Sequence, residues 1–173
     1  MVQLSRLENH ILALVRKWQP ATAYFIRKSL RDTLATNISD SPGSVYPAIE
    51  RLKAGGLLRA TPATRGKQSS EHLSCTAAGD AAVREWLTLV SPVEALPEDA
   101  WRTKIRFADL LSQDDLKAWL TDLRDTVKNT SDRLDRIQPA DGDTLHELEI
   151  EQARLYNAAR LAWINAAVAS LLK

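Results

Sequence analysis

With one cysteine in 173 residues, Cys75, the chain has no means of closing an internal disulfide. That excludes a disulfide-stapled scaffold and fits a reducing cytoplasm. Cys75 lies near Leu73 in a strand-like run and reads as a small buried hydrophobe. No apolar run approaches the ~18 residues that a membrane-spanning helix needs. The opening MVQLSRLENHILALV carries charge inside its apolar pattern, which argues against a signal peptide. Histidine is scarce as well. His10, His72 and His146 stand alone, without the spacing of metal ligands. His146 and Glu149 make half a ligand pair, but they sit in HELEIE, a run that reads as a solvated helix face. No nucleophile elbow, glycine-rich phosphate loop or paired catalytic carboxylates occur. The expectation is a protein without catalytic residues, metal or cofactor.

The net charge is only +1, yet its distribution is uneven. Residues 1–90 hold 12 Lys and Arg against 7 Asp and Glu, a balance of +5. Residues 91–173 hold 11 against 15, a balance of −4. A basic first half that meets nucleic acid and an acidic second half that faces elsewhere would produce this split.

Ser41–Leu58, SPGSVYPAIERLKAGGLL, is the most informative stretch. Ser41 followed by Pro42 is a helix start. Val45, Ile49 and Leu52 follow at i, i+4, i+7 as one apolar stripe. Roughly opposite lie Gly43, Pro47, Glu50, Arg51 and Ala54, with Ser44 and Tyr46 on the flanks. The first half of that outer face is small and nearly uncharged, so it can approach another surface closely. Gly55-Gly56 then stops the helix. LLRATPATRGKQSSEHLSCT follows and predicts two short strands around a tight turn at Pro62–Gly66. Upstream, apolar spacing predicts helices over about 4–18, ended by Pro20, and over about 22–34, to which Tyr24, Phe25, Ile26 and Leu30 give the apolar pattern. Downstream, Thr76-Ala77-Ala78-Gly79 opens a helix carrying Ala82, Val83, Trp86, Leu87 and Val90. Three helices, a hairpin with a basic tip and a fourth helix make a winged helix-turn-helix over residues 1–90, a module that sets a helix in the DNA major groove.

SPVEALPED, with two prolines, marks the boundary. Residues 91–173 are helical throughout: a short helix after Pro97, then a long one opened by Ser112. Leu116, Leu120, Leu123, Val127, Thr130, Leu134 and Ile137 repeat in alternating steps of four and three, a coiled-coil-like seam. After PADGD the last helix repeats the pattern at Leu145, Leu148, Gln152, Leu155, Ala159, Ala162, Ala166 and Ala169. Two seams of this length read as a helical dimerisation domain; a two-helix hairpin within one chain is the simpler alternative. The fold class is therefore mainly α with a small β-wing.

The chain resembles the PadR family of transcriptional regulators. The resemblance rests on Pro42-Gly43-Ser44-Val45-Tyr46-Pro47-Ala48-Ile49, Arg51-Leu52, Gly56-Leu57-Leu58, and Thr76 with Gly79. It covers residues 1–90 well. Residues 91–173 are similar in architecture to the helical C-terminal domain of the family's longer branch. The resemblance implies a cytoplasmic homodimer that binds double-stranded operator DNA at a palindrome, as a repressor, with release by a small aromatic ligand. The chain departs from the family's pattern at Thr22-Ala23-Tyr24, where His-Gly-Tyr is usual. It departs again at Ser69-Ser70-Glu71-His72, where a Lys or Arg followed by Tyr is usual. The wing contact then falls to Arg65 and Lys67.

The candidate DNA-binding residues are Ser44, Tyr46, Pro47, Arg51, Arg59, Arg65, Lys67 and Lys28. Ser44 and Tyr46 hydroxyls can donate to phosphate beside a positive helix N-terminus. Pro47 cannot donate to the Gly43 carbonyl and so costs helix stability, which suggests a shaped contact surface. Arg51 can reach a base edge or phosphate, or pair at the surface with Asp40 or Glu50. Arg59, Arg65 and Lys67 lie on or near the wing, and Arg27, Lys28 and Arg31 on the second helix; together they form a phosphate-tracking surface. Trp86 and Trp101 flank the boundary, where they could line an effector pocket or simply fill a core. A winged helix used only for protein–protein assembly, without DNA, is the rival reading.

Overall fold

Ser5 and Glu8 open the first helix reciprocally: the Ser5 hydroxyl accepts from the Glu8 amide at 3.3 Å, and Glu8 Oε2 accepts from the Ser5 amide at 2.8 Å. The structure, a computed structural model, describes residues 4–34, 38–65, 68–96, 98–139 and 142–172; the described side chains exclude 64–69 and 93. The elements run α1 (Arg6–Trp18), α2 (Ala23–Asp32), α3 (Pro42–Ala54), β1 (Leu58–Arg65), β2 (Gln68–Cys75), α4 (Ala77–Thr88), α5 (Pro92–Ala95), α6 (Ala100–Ile105), a 3₁₀ turn (Ala108–Leu110), α7 (Gln113–Asp135) and α8 (Thr144–Leu171). They form two compact units, Met1–Ala95 and Leu96–Lys173.

In the first unit, α1 to α4 and the wing close over Ile11, Leu12, Val15, Ile26, Leu30, Val45, Ile49, Leu52, Leu73 and Val83. The apolar stripe of α3 faces this core, as its spacing requires. Gly56 at φ 70° lets the Leu57 amide reach back to the Leu52 carbonyl at 3.0 Å and its own amide to Lys53 at 3.0 Å. That paired closure ends α3 and turns the chain into the wing. The start of α4 docks on the same corner. The Thr76 amide donates to the Leu57 carbonyl at 3.1 Å and its hydroxyl to the Gly56 carbonyl at 2.7 Å. Gly79 packs so close that a β-carbon there would sit 2.2 Å from the Leu57 oxygen. Thr76 and Gly79, read as part of a family pattern, are thus the hinge-plate between α4 and the end of α3.

The wing differs from its expected form. Its register runs to Arg65 opposite Gln68, so Pro62–Arg65, where the turn was expected, is strand; Gly66 lies outside the described residues. Pro62 pairs with Glu71 inside the ribbon. Beyond the Ala21–Leu73 bridge the ribbon has only two strands, so both are edges and a missing N–H is tolerated. Tyr24, counted among the apolar residues of α2, is 71% exposed; Ile26 and Leu30 are the buried positions of that helix. Leu87, in the last turn of α4, and Val90, past its end at Thr88, are likewise exposed. Cys75 is buried as expected, and burial raises its thiol pKa to about 11, which keeps it protonated and unreactive. One turn of helix, α5, forms within the stretch read as a linker.

In the second unit, α7 and α8 pair antiparallel: Arg154 Nη2 donates to the Leu134 carbonyl at 3.2 Å, and Asn157 Nδ2 to the Val127 carbonyl at 2.9 Å and Ser131 Oγ at 2.7 Å. The expected seam of α7 is buried at Leu116, Leu120, Leu123, Val127 and Leu134, but against α8 of the same chain. The α8 face that covers it lies off the stripe of Leu145, Leu148 and Leu155. Ile150, Asn157 and Ile164 are the buried positions. Leu145, Leu148 and Leu155 are 61–71% exposed, and Gln152, Ala159, Ala162, Ala166 and Ala169 are exposed with them. Helix α8 therefore carries two apolar stripes. One closes the hairpin, and the other lies open over the length of the helix.

Candidate nucleic-acid interface

The exposed end of α3 is built from small groups. Nothing lies within 4 Å of where a Gly43 β-carbon would stand, Pro47 is exposed, and Tyr46 is 44% exposed. Ser41 supplies no side-chain cap to the helix. Its hydroxyl instead takes a hydrogen bond from Ser39 and donates to Ser44, each at 3.0 Å. The first amides of α3 therefore lack a side-chain acceptor from Ser41, next to three hydroxyls, an arrangement suited to an anionic oxygen. Tyr46 borders a cleft of about 330 Å³ together with Thr22, Tyr24, Glu50, Ser70 and Glu71.

Salt bridges brace this surface from both sides. Lys53 donates to Glu50 at 3.0 Å and to Glu71 at 2.9 Å, which ties α3 to β2; those two carboxylates, Glu71 first, hold the ammonium pKa above its ordinary value. Arg31 Nε donates to Asp40 Oδ2 at 3.0 Å and Arg27 Nε to the Asp40 carbonyl at 3.0 Å. The Arg31 guanidinium lowers the Asp40 pKa. Two of the three basic residues of α2 are thus spent on fixing the approach to α3. Lys28 is exposed and has no partner among the described residues, and the same holds for Arg59 on β1. Arg65 ends β1 opposite Gln68 and its side chain is outside the described set; Lys67 lies outside the described residues altogether.

Arg51 pairs with neither Asp40 nor Glu50. Its Nε donates to Glu8 Oε1 at 2.6 Å, with the Arg51 side chain 60% exposed and the Glu8 side chain 10%. Burial alone would raise the Glu8 pKa. The Ser5 amide, the Arg51 guanidinium and the Ser5 hydroxyl outweigh it, and the net shift is downward. Sequence reading missed Glu8. The Ser5–Glu8 spacing signals a capping box, but nothing in the sequence links position 8 to a residue 43 places on.

Trp86 and Trp101 belong to separate units. In the first unit, Trp86 on α4 meets the His10 ring of α1 with centroids 5.1 Å apart. In the second, Trp101 on α6 lies under the Arg160 guanidinium, 3.9 Å from its ring centre. Arg160 also reaches Asp99 Oδ2, through Nε at 3.2 Å and Nη2 at 2.5 Å, and Tyr156 donates to the same oxygen at 3.3 Å. Among the described residues no group of His, Cys, Asp and Glu is placed to hold a metal ion, and no helix is long and apolar enough to cross a membrane.

The transcriptional regulator PadR-like family matches residues 11–85. No curated protein matches the chain. Among solved structures, Bacillus subtilis PadR in complex with operator DNA superposes with a TM-score of 0.80 at 20% identity, over 96% of this chain and 99% of that one. The same regulator in complex with p-coumaric acid gives 0.78 at 20% identity over the same shares. A PadR-like transcriptional regulator from Bacillus cereus gives 0.70 at 14% identity, over 98% of each chain. Residues 11–85 match the PadR-like family of transcriptional regulators, and the chain carries the fold of the PadR regulators of known structure.

Proposed function

We propose that this regulator acts as a homodimer on a palindromic operator, with α3 in the major groove and the wing tip beside it, and that it represses by occupying the promoter. Residues 1–90 bind DNA and residues 91–173 dimerise. The observation that carries the reading is the open, small-residue end of α3: Gly43 unobstructed, Ser44 and Tyr46 hydroxyls presented beside it, and Pro47 facing out. Lys28 and Arg59, free among the described residues, supply phosphate contacts, joined by Arg65 and Lys67 at the tip. The open stripe of α8, from Leu145 to Ala169, is the dimer surface. It is exposed and has no partner among the described residues, whereas the α7 seam is used within the hairpin. The operator complex of Bacillus subtilis PadR supports the DNA reading, and its p-coumaric acid complex supports a small aromatic effector.

Salt separates this reading from a protein–protein assembly module. Binding of full-length protein to duplexes recovered by binding-site selection is measured by anisotropy at increasing salt. Log affinity falls linearly with log salt, at about 0.9 per phosphate contacted. A chain that enriches no duplex, or whose binding ignores salt, is an assembly module instead.

A further inference from the structure

Glu8 is one of two polar or charged residues that are buried among the described ones, at 8% exposure, and both of its oxygens are committed. Oε2 takes the Ser5 amide at 2.8 Å, which is all that capping requires. Oε1 takes Arg51 Nε at 2.6 Å across 43 positions of sequence. A carboxylate is buried at a cost unless it is paired, so the contact with α3 is what makes its burial tolerable. The contact also leaves a specific part of Arg51 free. Only Nε is engaged; the outer Nη pair has no partner among the described residues, and the side chain is 60% exposed on the helix that presents Ser44 and Tyr46.

We infer that Glu8 is a positioning residue for base recognition, holding Arg51 by Nε so that its two Nη donors address one base edge. The inference rests on the DNA-binding reading above and adds a reader and its support. A tethered arginine suits a base better than a phosphate. Pairing with Glu8 cancels the guanidinium charge, which weakens any long-range pull on the backbone. It leaves the directional donors intact and fixes their plane. A planar pair of donors in fixed orientation matches the two major-groove acceptors of guanine. Phosphate contacts tolerate a swinging cation and would gain nothing from the tether.

The test uses the full chain, the duplex recovered by selection, and variants of that duplex changed at one base pair at a time. Arg51→Ala lowers discrimination at one base pair by about fivefold or more. Glu8→Gln keeps an acceptor for the Ser5 amide but loses the charge that orients Arg51. It lowers discrimination at the same base pair, while binding to unrelated duplex holds or tightens because a negative charge is gone. The double variant matches Arg51→Ala alone, since the two residues act as one device. Discrimination is a ratio measured on one protein sample, so partial unfolding cancels from it. Intact discrimination in Glu8→Gln, or a loss equal on all duplexes, overturns the assignment while the DNA-binding reading stands. An unaltered chain that selects no duplex overturns both, and does so before any variant is made.

Discussion

Replacing Gly79 by alanine puts the docking of α4 on α3 to a quantitative test. The new β-carbon would stand 2.2 Å from the Leu57 oxygen and 3.2 Å from its carbon, both backbone atoms, where ordinary contact begins near 3.4 Å. The start of α4 must retreat by about 1 Å. That retreat strains the Thr76 amide bond to Leu57 and the Thr76 hydroxyl bond to Gly56, now 3.1 and 2.7 Å. Overpacking costs ~1–3 kcal/mol, and the two weakened bonds up to ~1 kcal/mol each. Alanine returns up to ~1 kcal/mol in helix propensity. The net is a loss of about 2 kcal/mol, or roughly 10 °C in melting temperature for a domain of this size. Thermal unfolding followed by circular dichroism of the full chain measures it. Gly43→Ala is the matched control, in a helix with nothing within 4 Å. It holds or raises the melting temperature by the propensity gain while it weakens DNA binding, since the added methyl stands on the contact face. A melting temperature raised by Gly79→Ala refutes the argument that a close backbone approach selects glycine there.

Leu155→Asp on the open stripe of α8 leaves the monomer folded and abolishes dimerisation in analytical ultracentrifugation. Leu123→Asp, 6% exposed between α7 and α8, unfolds the second unit by burying an unpaired charge. Acid destabilises the fold through Glu8 and Asp99. Burial raises both, yet hydrogen bonds from Ser5 and Arg51, and from Arg160 and Trp101, bring each below its ordinary value of 4.5 or 3.8. Their stabilisation is present above those values and lost as pH falls through the lower folded ones, so Asp99→Asn flattens the acid limb of melting temperature against pH. Aromatic carboxylates quench the intrinsic fluorescence, and Trp86→Ala reduces that response more than Trp163→Ala; equal responses argue against an effector site at Trp86.

The boundaries of α3 were legible because local chemistry sets them: Ser41-Pro42 at one end and Gly55-Gly56 at the other. The seam of α7 was legible because its polar and apolar positions separate cleanly. Helix α8 was legible only in part, because apolar residues lie on both of its faces and the leucine repeat is not the stripe that closes the hairpin. Its exposed leucines keep a stricter period than the inner stripe, where a polar Asn157 fills a core position and is satisfied by Val127 and Ser131. The wing turn was misplaced because Pro62 signals a break, and that signal has little force in a two-stranded ribbon. Arg51 was given Asp40 or Glu50 as its surface partner, but its partner lies on α1. Contacts between distant positions leave no mark in spacing or composition, which is also why Glu8 read only as a cap.

The most direct test of the interface is an electrophoretic shift of the selected operator by the double variant Tyr46→Ala, Arg65→Ala, made in the dimer and checked by ultracentrifugation. The account predicts an intact dimer that no longer shifts the operator. An intact dimer with unchanged operator affinity would contradict the assignment of α3 and the wing as the DNA-binding surface.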